Sequence, residues 1–211
     1  MKRMKLIKNR GIASVTAFSL ALALTVTSVL GSSLGTLTAR AAGGTLSGSG
    51  TVEDPYIIED ADDLWTFANM LRGSTSHLSD CAKIADGVTM IDVSDEMWQG
   101  IPSNMTMPDG YRGTFDGNGA TIKLTMAISG GYQVGFFNTL DAGGVIKNVT
   151  IDGTVSGNYD VGGVCGRNGG TIIDCNNKAD VSGKNDRVGG IAGSCMDGGK
   201  LIAFKTMSNS G

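Results

Sequence analysis

Histidine occurs once in the 211 residues, at His77, and proline only three times. A lone imidazole leaves no second histidine for a His-based triad or relay, and no HExxH zinc-peptidase helix can be written. Three prolines beside 33 glycines exclude a collagen-type repeat. Charged residues are also scarce, at 18%, while Val, Ile, Leu and Met recur throughout, which excludes a disordered chain. The four cysteines, Cys81, Cys165, Cys175 and Cys195, show no pair at the two-to-four-residue gap of zinc sites. They permit three disulfide pairings, among which the sequence does not choose, and they read equally as small buried apolar side chains.

Acidic residues are absent from positions 1–41, where Lys2, Arg3, Lys5, Lys8 and Arg10 form a basic head. The uncharged run "GIASVTAFSLALALTVTSVLG" (11–31) follows, then Ala39-Arg40-Ala41, with small residues at alternate positions. Basic head, apolar stretch and small-residue site together predict a secretory signal peptide, 1–41, cleaved between Ala41 and Ala42. An N-terminal membrane anchor is the alternative, and no other segment is apolar enough to span a bilayer. Cleavage removes six of the 17 basic residues and none of the 20 acidic ones, leaving 11 against 20, or 11 − 20 = −9. So acidic a chain gains nothing from counterion release on nucleic acid and is repelled by anionic lipid. The expected location is secreted or cell-surface.

What is abundant is repetition. "VGGVCG" (161–166) returns as "VGGIAG" (188–193), at an offset of 27. Val134, Val161 and Val188 keep that interval, as do Phe137, Val164 and Ile191. "GGVIKNVTIDGTVSG" (143–157) matches "GGTIIDCNNKADVSG" (169–183) at an offset of 26. Within each unit, short alternating runs such as Ile146–Ile151 end at glycine or asparagine, the pattern of strands joined by tight turns. Repeats of that length predict an all-β fold, a β-solenoid (β-helix) of about 26–27-residue coils. The two columns, Val134/Val161/Val188 and Phe137/Val164/Ile191, are expected inside. On the outside, Asp160 should stack under Arg187, Asn158 under Asn185, and Tyr132 against Tyr159. The tyrosine pair is the exterior feature with binding potential, because aromatic faces receive a sugar ring or a peptide side chain.

"EDADDLWTFANMLR" (59–72) places Leu64, Phe67, Ala68 and Leu71 at helical spacing, with Asp60 as N-cap. A short capping α-helix over about 60–72 is predicted, within an N-terminal cap and leading strands at 42–100. The β-helix repeats then occupy 101–211. The chain stops at "LIAFKTMSNSG", in what reads as a further turn, so a truncated piece of a longer protein is expected.

"GTVEDPYIIEDADDL" (50–64), "YRGTFDGNGATI" (111–122) and "VGGVCGRNGGTIIDC" (161–175) resemble the GLUG-motif proteins, exported bacterial surface proteins with β-helix repeats. The first repeat departs from the pattern, with Phe136-Phe137-Asn138 where Gly163-Val164-Cys165 stands later. The resemblance implies a scaffold or adhesin-like surface. The alternative is the non-catalytic leading region of a secreted metallopeptidase of the immunoglobulin-A-cleaving kind, a setting the resemblance also implies, or of a carbohydrate-active β-helix enzyme. It carries over no catalytic, cofactor or metal residue. A polysaccharide lyase would need adjacent acids, but Asp160 aligns with Arg187, and Asp152 and Asp180 fall out of register. "FDGNG" (115–119) lacks the Glu at the twelfth position of a calcium loop, where Ala127 stands. The expected partner is an extracellular ligand, a host glycan or protein.

Overall fold

The computed structural model describes residues 45–102, 109–203 and 205–206. They belong to one compact unit, Arg40–Gly211, and the signal peptide expected at 1–41, with its Ala41/Ala42 cleavage site, lies outside the described residues. In chain order the elements are β1 (Tyr56–Ile58), α1 (Ala61–Gly73), β2 (Ala82–Ile84), β3 (Met90–Met97), β4 (Thr114–Asp116), β5 (Thr121–Ala127) and β6 (Phe137–Leu140). There follow β7 (Val145–Lys147), β8 (Thr150–Gly157), β9 (Val161–Gly162), β10 (Cys165–Asn168), β11 (Thr171–Ile173), β12 (Asn176–Asn177) and β13 (Asp180–Gly183). The last four are β14 (Val188–Gly189), β15 (Ala192–Cys195), β16 (Lys200–Ile202) and β17 (Lys205–Thr206).

Every pairing between these strands is parallel. The first sheet runs β1-β2-β4-β7-β11-β16, the second β17-β12-β8-β5-β3 with β13 beside β8, and the third β15-β10-β6, while β9 and β14 form a two-stranded ladder. From β4 onward the chain visits first, second and third sheets in that order and then begins again. Like side chains therefore pile up on a common core, as Phe115, Ile146, Ile172 and Leu201 do across the first sheet.

The expected all-β solenoid of uniform coils is corrected on two counts. The register intervals of 26 and 27 hold for only some of the turns: Ala82 pairs with Phe115, Phe115 with Ile146, Ile146 with Ile172 and Ile172 with Leu201, steps of 33, 31, 26 and 29. Extra residues leave the ladders at corners and at an irregularity in β3, where Val93 and Met97 pair with the consecutive Leu124 and Thr125. Nor is the fold all-β. Helix α1 buries Leu64, Phe67, Ala68 and Leu71 in the same cluster as the strand residues, and its ring contacts make it part of the core.

Local chemistry explains the helix. The Asp60 side chain accepts from Asp63 N–H at 3.0 Å, and Asp63 Oδ2 accepts from Glu59 N–H at 3.0 Å, so two otherwise orphaned donors are satisfied at the start. Phe67 then meets Tyr56, Tyr111 and Phe115, while Trp98 stacks on Phe136. Both buried polar rings find partners: Tyr111 Oη donates to Asp80 O (2.7 Å) and Trp98 Nε1 to Phe136 O (3.2 Å).

The repeated glycine phrase has a steric cause. Between β9 and β10 the backbone folds back so tightly that a Cβ on Gly162 would meet Cys165 O at 2.2 Å and Gly193 N at 2.6 Å. Only hydrogen fits there.

Candidate functional site

The Asn158–Asp160 corner joins β8 to β9, and 184–187 makes the equivalent corner between β13 and β14. Backbone hydrogen bonds tie successive corners together. Asn158 and Tyr159 N–H both donate to Gly131 O, Asn185 N–H donates to Asn158 O at 3.0 Å, and Val161 N–H to Arg187 O at 2.9 Å. Tyr132 and Tyr159 are thereby brought face to face, with centroids 5.4 Å apart and planes 7° apart. Tyr132 is 60% exposed and Tyr159 half-buried.

Polar groups occupy this corner and the equivalent corner of the next repeat. Asn185 Nδ2 donates to Asn158 Oδ1 at 2.5 Å. Arg187 Nη2 donates to Asp160 Oδ2 at 3.2 Å, and Arg187 Nε lies 2.5 Å from Asp160 Oδ1, an ion-pair contact without an aligned hydrogen bond. The pair was expected wholly on the outside; instead the Asp160 side chain is only 5% exposed against 58% for Arg187. Asp160 occupies the left-handed region (φ 47°), a conformation that Asp tolerates better than most residues.

Of the six column residues expected inside, Val134, Phe137, Val161, Val164 and Ile191 are buried. Val188 is not, and that expectation is corrected. At 44% exposure it lies on β14, which has a strand on one side only among the described residues.

Other sequence candidates are dispersed. His77 Nδ1 meets Asp80 Oδ2 at 2.7 Å in a polar turn after α1. Asp116 of the FDGNG turn is saturated by donors: Asn118 N–H, Asn148 Nδ2 (3.0 Å) and Lys147 Nζ (3.1 Å). Burial works to raise its carboxyl pKa, but these donors outweigh it and hold it below the usual value. All four cysteines are free thiols. Burial raises Cys165 far above its usual range and pushes Cys175 up to about 11, so neither is a ready nucleophile. No group of three or more His, Cys, Asp or Glu side chains is arranged to hold a metal ion among the described residues.

One feature the sequence did not disclose is the Arg72 guanidinium, 5.3 Å from the Trp65 ring centroid and 5.4 Å from that of Trp98. Nη2 donates to Gly100 O at 2.9 Å, and burial lowers the group's pKa to about 10. Arg72 is visible as a last-turn cation on α1, but Trp98 lies beyond two further strands and no spacing links them.

Fold and surface together define, among the described residues, a mainly parallel-β protein with one α-helix and an exposed aromatic ladder. No protein-family model matches the chain. Over 156 residues it is 35% identical to halomucin of Haloquadratum walsbyi, a match covering 71% of this chain and 2% of that one. The chain thus spans a small fraction of its relative's length. Among solved structures, it is similar to a Bacteroides ovatus protein provisionally named an immunoglobulin A1 protease. The TM-score is 0.49, with 25% identity over 62% of this chain and 39% of the other. No helix among the described residues is long and apolar enough to cross a membrane.

Proposed function

We propose that the chain is an exported, non-catalytic surface module, a scaffold that presents an adhesin-like binding face outside the cell. The observation that carries this is the 35% identity to a stretch of halomucin, a mucin by name. The leader at 1–41 and the net charge of −9 after its removal support the same reading, since a secreted acidic chain resists unspecific association with nucleic acid and anionic lipid. Its placement among the GLUG-motif proteins belongs to this proposal. The non-catalytic part is argued from chemistry on the chain. The one histidine is engaged with Asp80, the Asp116 carboxylate is saturated by donors, and two thiols are held protonated by burial.

Surface proteolysis of intact cells tests it, combined with mass spectrometry of the N-terminus. The expected result is peptides from the 45–203 region released from unbroken cells or found in the medium, and a mature chain that begins at Ala42. A chain retained in the cytoplasm with residues 1–41 attached would overturn it.

A further inference from the structure

The Tyr132/Tyr159 corner differs from the rest of the described surface. Tyr132 is the one aromatic among the large hydrophobic side chains exposed there. Its ring lies parallel to that of Tyr159, within 7°, so the pair offers a flat aromatic surface. Asn158 precedes Tyr159, and in the next repeat Asn185 and Arg187 flank Asp186; the two amides are hydrogen-bonded to each other and the guanidinium is 58% exposed. Asp160 anchors that guanidinium from a buried position, leaving Arg187 Nη1 without a bond to Asp160.

We propose that this ridge binds a pyranose unit of an extracellular glycan, the sugar's C–H face lying on Tyr132 and its vicinal hydroxyls meeting the amides and the guanidinium. The inference rests on the surface-module reading and names the class of ligand for it. An aromatic plane receives the axial C–H groups of a pyranose. A fork of paired donors and acceptors suits adjacent hydroxyls, whereas an apolar peptide anchor would require a closed pocket. Lys184 and Arg187 stand on the same corner as Asp160 and Asp186, two cations against two carboxylates, so the corner suits a neutral sugar better than a uronic acid.

Saturation-transfer NMR on the chain purified as the cell exports it, with cello-oligosaccharide, chito-oligosaccharide and oligogalacturonate as probes, decides the matter. At least one probe should bind, and Tyr132→Ala should weaken it tenfold or more while leaving the melting temperature unchanged. Tyr132→Trp should retain binding, and oligogalacturonate should bind no more tightly than the neutral probes. Absence of binding to all three probes, or binding indifferent to both Tyr132→Ala and Tyr159→Ala, overturns the proposal. A chain displayed outside the cell that binds none of them would sink the glycan proposal alone, whereas a cytoplasmic chain would sink the surface-module reading on which it rests.

Discussion

At the scale of single residues, the structure is governed by a few positions where geometry leaves no choice. Gly162→Ala would place a methyl group well inside contact distance of backbone atoms on two segments. The expected cost is about 3 kcal/mol or more, at the upper end of single-substitution effects, read as a lowered denaturant midpoint. Asn148 is an opposite case. It holds a left-handed conformation (φ 54°) and its Nδ2 reaches Asp116 on the preceding strand of the first sheet. Asn148→Ala loses both advantages, and about 1–2 kcal/mol of destabilisation is expected in chemical denaturation. Titration offers a third check. The Ser94 hydroxyl and N–H lower the Asp92 carboxyl to about 2, with Lys123 adding to them. A depressed folded pKa means that the contribution is complete above the unfolded value, about 3.9, and lost as pH falls through about 2. Asp92→Asn should therefore be less stable than the parent at pH 6 and converge with it near pH 2, as measured by thermal melts across that range.

At the scale of elements, helix α1 was legible because its signals are local: the cap, the acidic first turn and the four apolar positions all lie within the single segment 59–72. The strand units were legible for a different reason. Their turns repeat in sequence, and the offsets of 26 and 27 coincide with observed register partners such as Ile146 with Ile172 and Val161 with Val188. What could not be read was anything set by unequal turn lengths. The longer steps before Ile146 have no repeated phrase to mark them, and the Arg72–Trp65–Trp98 cluster depends on where the chain goes after β3. The tyrosine ladder was visible as an alignment, but the burial of Asp160 beside it was not, because an aspartate is compatible with a left-handed corner without telling which way its carboxylate faces. Helix α1 contributes to the core by packing, not only by covering it. Phe67→Ala, which removes contacts to three rings, should cost about 3–5 kcal/mol, whereas Asp60→Ala should cost about 1 kcal/mol through the lost cap. A thermal-melt comparison of the two variants distinguishes packing from capping.

At the scale of the whole molecule, parallel stacking makes stability a matter of neighbours. Strands β4, β7 and β11 each lie between two partners in the first sheet, while β14, β15 and β16 have one apiece among the described residues. Amide hydrogen exchange should accordingly be slowest in β5, β7, β8 and β10 and fastest in β14–β16, a gradient along the stack. Uniform protection of all strands would show instead that the unit opens only as a whole. Thiol accessibility reports the same order. Cys195 is exposed and the other three are buried, so a maleimide should add once to the native chain and four times after denaturation, counted by mass spectrometry.

The tight approach of Gly162 to Gly193 bears on errors as well as on stability. A slide by a single position between adjoining strands would bring Val161 in one direction, or Gly163 in the other, into a gap that admits a hydrogen atom, so the first of these near-miss alignments is excluded by bulk. A slide by one whole turn is opposed in another way, because the turns differ in length, with steps of 33, 31, 26 and 29 along the first sheet, and Phe136 stands where the next repeat has Gly163. Unevenness thus does for whole turns what bulk does for single positions: it dictates which coil lies on which.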